Sequence, residues 1–463
     1  MQQEKNISPG MVLVTVCIAQ FMAPFMLTSV GVALPSLGRE MNASAMQLGL
    51  VEQLYVLSIA MAMLTFGRFG DIVGQNKVFL TGLVFFTTLT FSLSFTRSIE
   101  MVMFQRFFQG IGGAMLLSGS MAIVASVYPP EVRARKIGIV SACTYAGLSS
   151  GPVIGGYVTA HLGWRFVFAM AVPFGLSAIS MCIYGMRNIS RNAPGEKMDW
   201  KGSFVYAVGI GLFMTGAAHA RQMPMGPIMI AIGIQGLTAF FYMEKKTPSP
   251  LLDVSLLSNN RFFTLSCLAA FGNYAATFGI TFLMSLFLQY AKGLSPRQAG
   301  FILLLQPLMQ VITSPVAGRL SERIEAAKLA TAGMLASSIG LLLAAITVGT
   351  DTSLWVIAAE LILIGSGFGI FITPNSTAIM GSVERRQLGV ASGMIGAMRT
   401  LGMAVSMTSV AVIFSVFMGD SAIKPETIPE FIISMKVGLV VAALFSFLGI
   451  AVSYGRGKQA RYH

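Results

Sequence analysis

Charge is scarce in this chain. Only 11% of its 463 residues are Asp, Glu, Lys or Arg, whereas a soluble domain carries about 25%. That shortage excludes an ordinary soluble globular protein. Hydrophobic residues make up 55%, including 33 Phe and 31 Met, and most must sit in lipid or in a helix bundle within it. Histidine is scarcer still: His161, His219 and His463 are the only three. No Ser/His/Asp or Cys/His set can be assembled from them, so the chain does not read as an enzyme. The four cysteines, Cys17, Cys143, Cys182 and Cys267, lie in apolar runs without paired or ligand-like spacing. No disulfide framework, metal site or cofactor is expected. No phosphate-binding glycine loop follows a strand, and the G-I-G-G at 110–113 lies inside an apolar stretch where glycine serves helix contact. No ATPase signature is present either. The net charge of +13 would suggest nucleic acid in a soluble protein. Here the bases fill short gaps between apolar runs, so membrane topology explains them and no nucleic acid is expected.

What is present is a succession of apolar runs, each near the roughly twenty residues that span a bilayer. Fourteen are counted: 11–35, 46–68, 77–96, 101–127, 136–160, 164–187, 202–220, 226–244, 263–290, 298–319, 328–349, 353–382, 387–418 and 432–455. The first lacks a basic leader and a small-residue cleavage site, so it reads as a retained helix. With the N-terminus cytoplasmic, the inner segments hold 21 Lys and Arg residues and the outer ones 8. That bias puts both termini inside.

The chain also repeats itself. Gly67-Arg68-Phe69-Gly70-Asp71 after the second run is echoed by Gly318-Arg319-Leu320-Ser321-Glu322 after the tenth. Ile137-Gly138 is echoed by Leu388-Gly389, which aligns Gly151 with Gly402. Both matches relate helices 1–6 to helices 9–14 and leave a pair inserted between them. The expected division is 1–190, a linker with the inserted pair at 191–260, and 261–463.

Several stretches carry chemistry. Gly147 to Tyr157 reads G-L-S-S-G-P-V-I-G-G-Y. Glycine and proline cost about 1 and 3 kcal/mol in an ordinary helix interior, but membrane neighbours re-satisfy the backbone. The bare faces at Gly147, Gly151, Gly155 and Gly156 admit another backbone, and Pro152 bends the helix. Gly151 and Gly155 are expected to meet a helix of the other half. Arg106, in F-Q-R-F-F-Q-G-I-G-G-A, shares a helical face with Gln109, Gly110, Gly113 and Ser120. At membrane depth such a charge must face protein or water. Glu52 and Glu360 are the carboxylates placed well inside the runs, where staying charged is costly and carrying a proton is the alternative. Arg399, in A-S-G-M-I-G-A-M-R-T-L-G-M-A, is positioned to neutralise Glu360. Gln20, Thr28, Tyr55, Asn273, Tyr274, Gln306 and Gln310 are polar or aromatic residues on apolar helices and are candidates for a cavity wall. Asn273, Thr277 and Thr281 share a face. Abundant methionine suits a promiscuous apolar surface and a lipophilic cargo.

The glycine-rich segment 147–157 resembles the antiporter signature of drug:proton exporters in the major facilitator superfamily. Gly67 to Lys77, G-R-F-G-D-I-V-G-Q-N-K, resembles that superfamily's cytoplasmic loop signature at Gly67, Asp71, Gly74 and Lys77. Ile72, Gln75 and Asn76 stand where bases are usual. The Arg106 stretch resembles the helix-4 signature linked to proton transfer, and the Arg399 stretch resembles the helix-13 pattern of the fourteen-helix subfamily. There is one departure. M-L-T-S-V-G-V-A-L-P at 26–35 matches the subfamily's D-x-T-x-x-x-x-A-L-P at Thr28 and at its end, but Met26 replaces the acid.

The resemblance implies an all-α integral membrane protein of the major facilitator fold, with two pseudo-symmetric six-helix halves plus an inserted pair. It implies proton-coupled antiport of lipophilic, multidrug-type molecules by alternating access, by a monomer in the cell membrane. Cargo and protons would take turns on shared carboxylates. Glu360, then Glu52, would carry the proton, with Arg106 and Arg399 beside them. Asp71, Gly67, Gly74 and Lys77, with the repeat pair Arg319 and Glu322, would gate. The alternatives are an exporter of one endogenous lipid or metabolite and, in another class, a non-transporting membrane sensor or binding protein.

Overall fold

A computed structural model describes residues 8–128, 130–186, 195–218, 224–252, 254–321, 323–383, 388–419 and 421–456. The described elements are helices: α1 (Pro9–Met41), α2 (Ala45–Val73), α3 (Gln75–Leu93), α4 (Ile99–Val127), α5 (Pro130–Leu162), α6 (Arg165–Gly185), α7 (Trp200–Ala218), α8 (Gly226–Glu244), α9 (Arg261–Ala291), α10 (Pro296–Leu320), α11 (Ala326–Thr347), α12 (Leu354–Met380), α13 (Leu388–Phe417) and α14 (Ile428–Tyr454). Twelve helices among the described residues are long and apolar enough to cross a membrane, against the fourteen expected. The other two expected runs fall on α5 and α7, helices of 33 and 19 residues. α7 carries Lys201 in its first turn, which lowers its hydropathy.

Sharp turns join the helices because the sequence caps them. α1 ends at Asn42, whose φ of 51° is left-handed. Ser44 then forms a capping box with Gln47: Gln47 N donates to Ser44 Oγ at 3.2 Å and Ser44 N to Gln47 Oε1 at 2.9 Å. Ser295 and Gln298 do the same for α10. Asn260 and Ser353 cap α9 and α12 through their side chains.

The repeat in sequence reappears as a repeat in packing. Among α1–α6, α1 lies along α5, α2 along α4, and α3 along α6; among α9–α14 the corresponding pairs are α9 with α13, α10 with α12, and α11 with α14. The two groups meet where α2 packs on α13 and α10 on α5, which are equivalent contacts under the repeat. α7 and α8 pack on each other, and α7 also lies on α2 and α13, covering one of the two seams.

The glycine-rich face of α5 does not serve the contact expected of it. A Cβ added at Gly147 would meet the Phe21 backbone, one at Gly151 would meet Thr28 and Ser29, and one at Gly155 would fall 2.7 Å from Ser29 Cβ. All three therefore press on α1, within their own group of helices. The contact with the other group is made one step round the helix. A Cβ on Gly156 would come 2.5 Å from Pro296 O, and one on Gly300 would run into Pro152 O. Proline and glycine thus interlock α5 with α10, while the i, i+4, i+8 glycines seat α5 on α1.

The two faces are separable by mutation. Gly155→Leu is expected to cost roughly 1–3 kcal/mol by overpacking α1 and to lower the melting temperature in detergent. Gly156→Leu is expected to lengthen the distance between spin labels on α5 and α10. An unchanged distance in a folded Gly156→Leu protein would refute the interlock.

Candidate functional site

Prolines decide where the bundle closes and where it stays open. Pro35 has no N–H, so the Gly31 carbonyl one turn earlier loses its helical partner. α9 supplies the replacement: Ser285 Oγ donates to Gly31 O at 3.0 Å. Next to it Gln289 Nε2 donates to Val32 O at 3.0 Å and Tyr290 OH to Pro35 O at 3.2 Å. Arg39 returns the contact by donating to Gln289 O at 3.4 Å. These bonds tie the two groups together at the end that holds the α1–α2 turn. α9 is irregular at Phe278, where Gly279 N donates to Ser406 Oγ at 2.9 Å, and α10 at Leu304, just before Gln306 and Pro307; both residues keep helical dihedrals, so each helix runs on.

A cavity lies at that level, with walls from α1, α2, α4 and α5 on one side and α9, α10, α12 and α13 on the other. Of the expected wall residues, Thr28, Tyr55, Tyr274, Gln306 and Gln310 line it, as do Thr277, Thr281, Pro152 and Arg399. Gln20 stands one layer back and accepts from Thr144 Oγ1, itself on the wall, at 2.9 Å. Asn273 is fully buried off the wall. The roughly 40° drift that accompanies each four-residue step of a 3.6-residue helix turns it away from Thr277 and Thr281. Tyr145, Phe368 and Met403 were not anticipated. They pack with Tyr274 and Met398 into an aromatic and thioether cluster on the wall. A tyrosine two residues before Gly147 was the available signal for the first of them.

The charged pair of the first group lies behind this wall. Arg106 is 0% exposed and Glu52 is 3% exposed. Arg106 Nη2 is 3.4 Å from Glu52 Oε2, its Nη1 donates to Gln109 Oε1 at 2.8 Å, and its Nε donates to Val51 O at 3.4 Å. Gln109 Nε2 passes the network on to Thr90 Oγ1 at 2.7 Å. The Tyr55 ring centroid lies 4.0 Å from the guanidinium carbon, and the Tyr55 hydroxyl donates to Ala23 O at 3.1 Å. Tyr55 thus has one face on the cavity and the other on the ion pair. Glu52 Oε1 has no hydrogen-bond partner and faces Gly31 of α1, where an added Cβ would be 3.7 Å away. That second oxygen can accept a proton without breaking an existing bond.

Glu360 is elsewhere. Its carboxylate accepts a hydrogen bond from Thr347 at the end of α11 and is not on the wall. None of the four ion pairs among the described residues joins it to Arg399. The expected Glu360–Arg399 neutralisation is therefore corrected: α12 turns Glu360 toward α11, while α13 turns Arg399 into the cavity. Shared carboxylates for cargo and proton are likewise not found, since neither acid reaches the wall.

The α2–α3 loop is braced from within. Gly74, at φ 122°, makes the turn. Gln75 folds back, its Nε2 donating to Asp71 Oδ1 at 3.0 Å and to Gly67 O at 3.2 Å. Its side chain fills the space left by Gly70 and Gly119. Asn76 ties the loop to Met186 O at 3.0 Å, and Lys77 is exposed to solvent. So two of the three positions where bases were expected hold amides that fasten the loop to its own group. Arg68 pairs with Glu196, ahead of α7. Arg319 is exposed in the last turn of α10, and Glu322 lies outside the described residues.

Gln75→Ala should cost about 1–2 kcal/mol by leaving Asp71 and Gly67 without that amide. It should also speed maleimide labelling of a cysteine placed at Asn76. Equal stability and equal labelling would show that the loop is held by other contacts.

Comparison with known proteins agrees with this architecture. The pattern of the Major Facilitator Superfamily matches residues 16–407. The chain is 26% identical over 449 residues to the riboflavin transporter RibZ of Clostridioides difficile (strain 630), covering 96% of each. It is 26% identical to the multidrug resistance protein Stp of Mycobacterium tuberculosis (strain CDC 1551 / Oshkosh), covering 81% of this chain and 70% of that one. In fold it is similar to a crystal structure of a bacterial homologue of the human lysosomal transporter Spinster, at a TM-score of 0.68, 17% identity and 98% of both chains.

Proposed function

The chain belongs to the major facilitator superfamily of secondary transporters, and we propose that it is a proton-coupled exporter of lipophilic small molecules in the cell membrane. We read it as a monomer of fourteen spans with both termini cytoplasmic, adding α5 and α7 to the twelve apolar helices. The observation that carries the reading is the cavity. Its wall is shared by both six-helix groups, is largely apolar, and has the buried Arg106–Glu52 pair directly behind Tyr55. Rocking of the groups about such a cavity gives alternating access.

The proton is assigned to Glu52 rather than Glu360. Protonation of the free Oε1 weakens the attraction across the 3.4 Å pair, yet leaves Arg106 held by Gln109, Val51 O and the Tyr55 ring. Tyr55 is the shared element. When the guanidinium relaxes, the ring stacked on it moves, and with it one wall of the cavity and the bond to Ala23 O on α1. Cargo bound against Tyr55 biases the same ring. A second reading, transport of one specific metabolite, is favoured by the wall's lack of a carboxylate and by likeness over the whole chain to a riboflavin transporter.

Substrate-induced proton release from purified protein in detergent separates the two acids. Glu52→Gln should abolish release while counterflow exchange persists, and Glu360→Gln should release like the parent. Release that survives Glu52→Gln and vanishes in Glu360→Gln would return the role to α12. Everted vesicles challenged with lipophilic dyes, with and without a proton gradient, test export itself.

A further inference from the structure

The two basic residues set deep inside the helices have different fates. Arg106 is sealed behind Tyr55 and paired with Glu52. Arg399 is on the cavity wall, and none of the four ion pairs among the described residues includes it. Twelve positions into the thirty-residue α13, it stands near mid-membrane. There, a charge without a counter-ion is costly. No carboxylate lies on the wall with it. Met26, where the helix-1 acid would be, is buried and off the wall.

Five hydroxyls on the wall have no proton free for a bound anion: those of Thr28, Tyr55, Thr144, Thr277 and Thr400 are spent on Pro24 O, Ala23 O, Gln20 Oε1, Asn273 O and Gly396 O. Tyr145 and Tyr274 stand against each other within electrostatic reach of the guanidinium. Tyr274 also packs edge-on against Phe368, with ring centroids 5.3 Å apart. A planar cation on the same wall as two phenols within its electrostatic reach, beside an aromatic and methionine cluster, is a receptor for an anionic group attached to an apolar body.

We propose that the cargo is a lipophilic anion, such as an aromatic or alkyl carboxylate or sulfonate, whose charge is held by Arg399 between Tyr145 and Tyr274. The inference rests on the exporter reading for its setting but makes a separate claim. A lipophilic cation meets like charge and no carboxylate in this cavity, so the wall selects against it. Arg399 is then the specificity-determining residue, and an occupied cavity supplies the counter-ion that the protein itself does not.

The test uses two probes of the same shape and opposite charge, tetraphenylborate and tetraphenylphosphonium, titrated into the purified full chain in nanodiscs. The ratio of their affinities is compared among the parent, Arg399→Gln, Arg399→Lys and Arg399→Glu, so that unequal partitioning into lipid cancels. The borate preference should fall about tenfold or more in Arg399→Gln, be largely retained in Arg399→Lys, and reverse in Arg399→Glu. A ratio that does not change across variants with parental melting curves overturns the proposal, as does failure of tetraphenylborate to bind the parent. Export of the uncharged dye Nile red, read as its accumulation in everted vesicles, separates the two readings. Gradient-driven efflux with an unchanged ratio removes the anion claim alone. A shifted ratio without efflux keeps the anion site and removes the exporter.

Discussion

The bundle depends on α5 lying against two helices at once. Its Gly147, Gly151 and Gly155 face lets α1 approach to backbone contact, and its Pro152 and Gly156 edge does the same for α10. Between helices in lipid the hydrophobic effect offers little, so close packing and small residues must supply the attraction. The repeat uses the same device in the other group. A Cβ on Gly402, the counterpart of Gly151, would fall 2.6 Å from Phe271 O and 2.7 Å from Tyr274 Cβ on α9. Because α1 and α9 are seated this way, their carbonyls and side chains come within reach of each other, and the bonds from Ser285, Gln289 and Tyr290 follow.

The seams between the two groups are equivalent by topology but different in chemistry. At the α2–α13 seam, side chains cross: Gln53 Nε2 donates to Thr408 Oγ1 at 3.0 Å and Thr400 Oγ1 to Met63 Sδ at 3.2 Å. α7 lies over it, with Tyr206 OH donating to Ala60 O at 3.0 Å. The α5–α10 seam is made by bare backbone at Gly156 and Gly300. Bonds through side chains stretch and re-form as helices tilt, whereas a glycine contact is lost once the backbones part. The inserted pair therefore stiffens the seam that already has the more compliant joints.

Much of this was legible in the sequence. Helices stand at each of the fourteen apolar runs, because a run of about twenty apolar residues has few other solutions in lipid. The repeat was legible too, in the echo of 67–71 at 318–322 and of 137–138 at 388–389. Partner choice was not. Whether Arg399 faces Glu360 or the cavity depends on the rotational phase of α12 and α13, which composition does not record. Helical drift shifts that phase again: Asn273 shares a face with Thr277 on paper, yet it is buried off the wall that Thr277 lines. Gln75 was read as a missing base because charge was the property under inspection. Its job is set by the space between Gly70 and Gly119, which only the packed loop reveals.

Separation of the charged groups has a consequence for coupling. Where cargo and proton compete for one carboxylate, a cationic cargo displaces the proton directly, and the exchange is written into the site. Here Glu52 is on the far side of the Tyr55 ring from the cavity, and the only charged side chain on the described wall is Arg399. On the proposed reading the two ligands never touch the same atoms. Each acts on a different face of one ring, whose hydroxyl is fastened to Ala23 O one residue before the kink at Pro24. Coupling then has to be conformational: the proton and the cargo each favour one setting of α1 against α2, and exchange follows because those settings differ. Such an arrangement frees the cavity from needing an acid, which is consistent with a described wall that has no carboxylate and with the buried Arg106–Glu52 pair behind it.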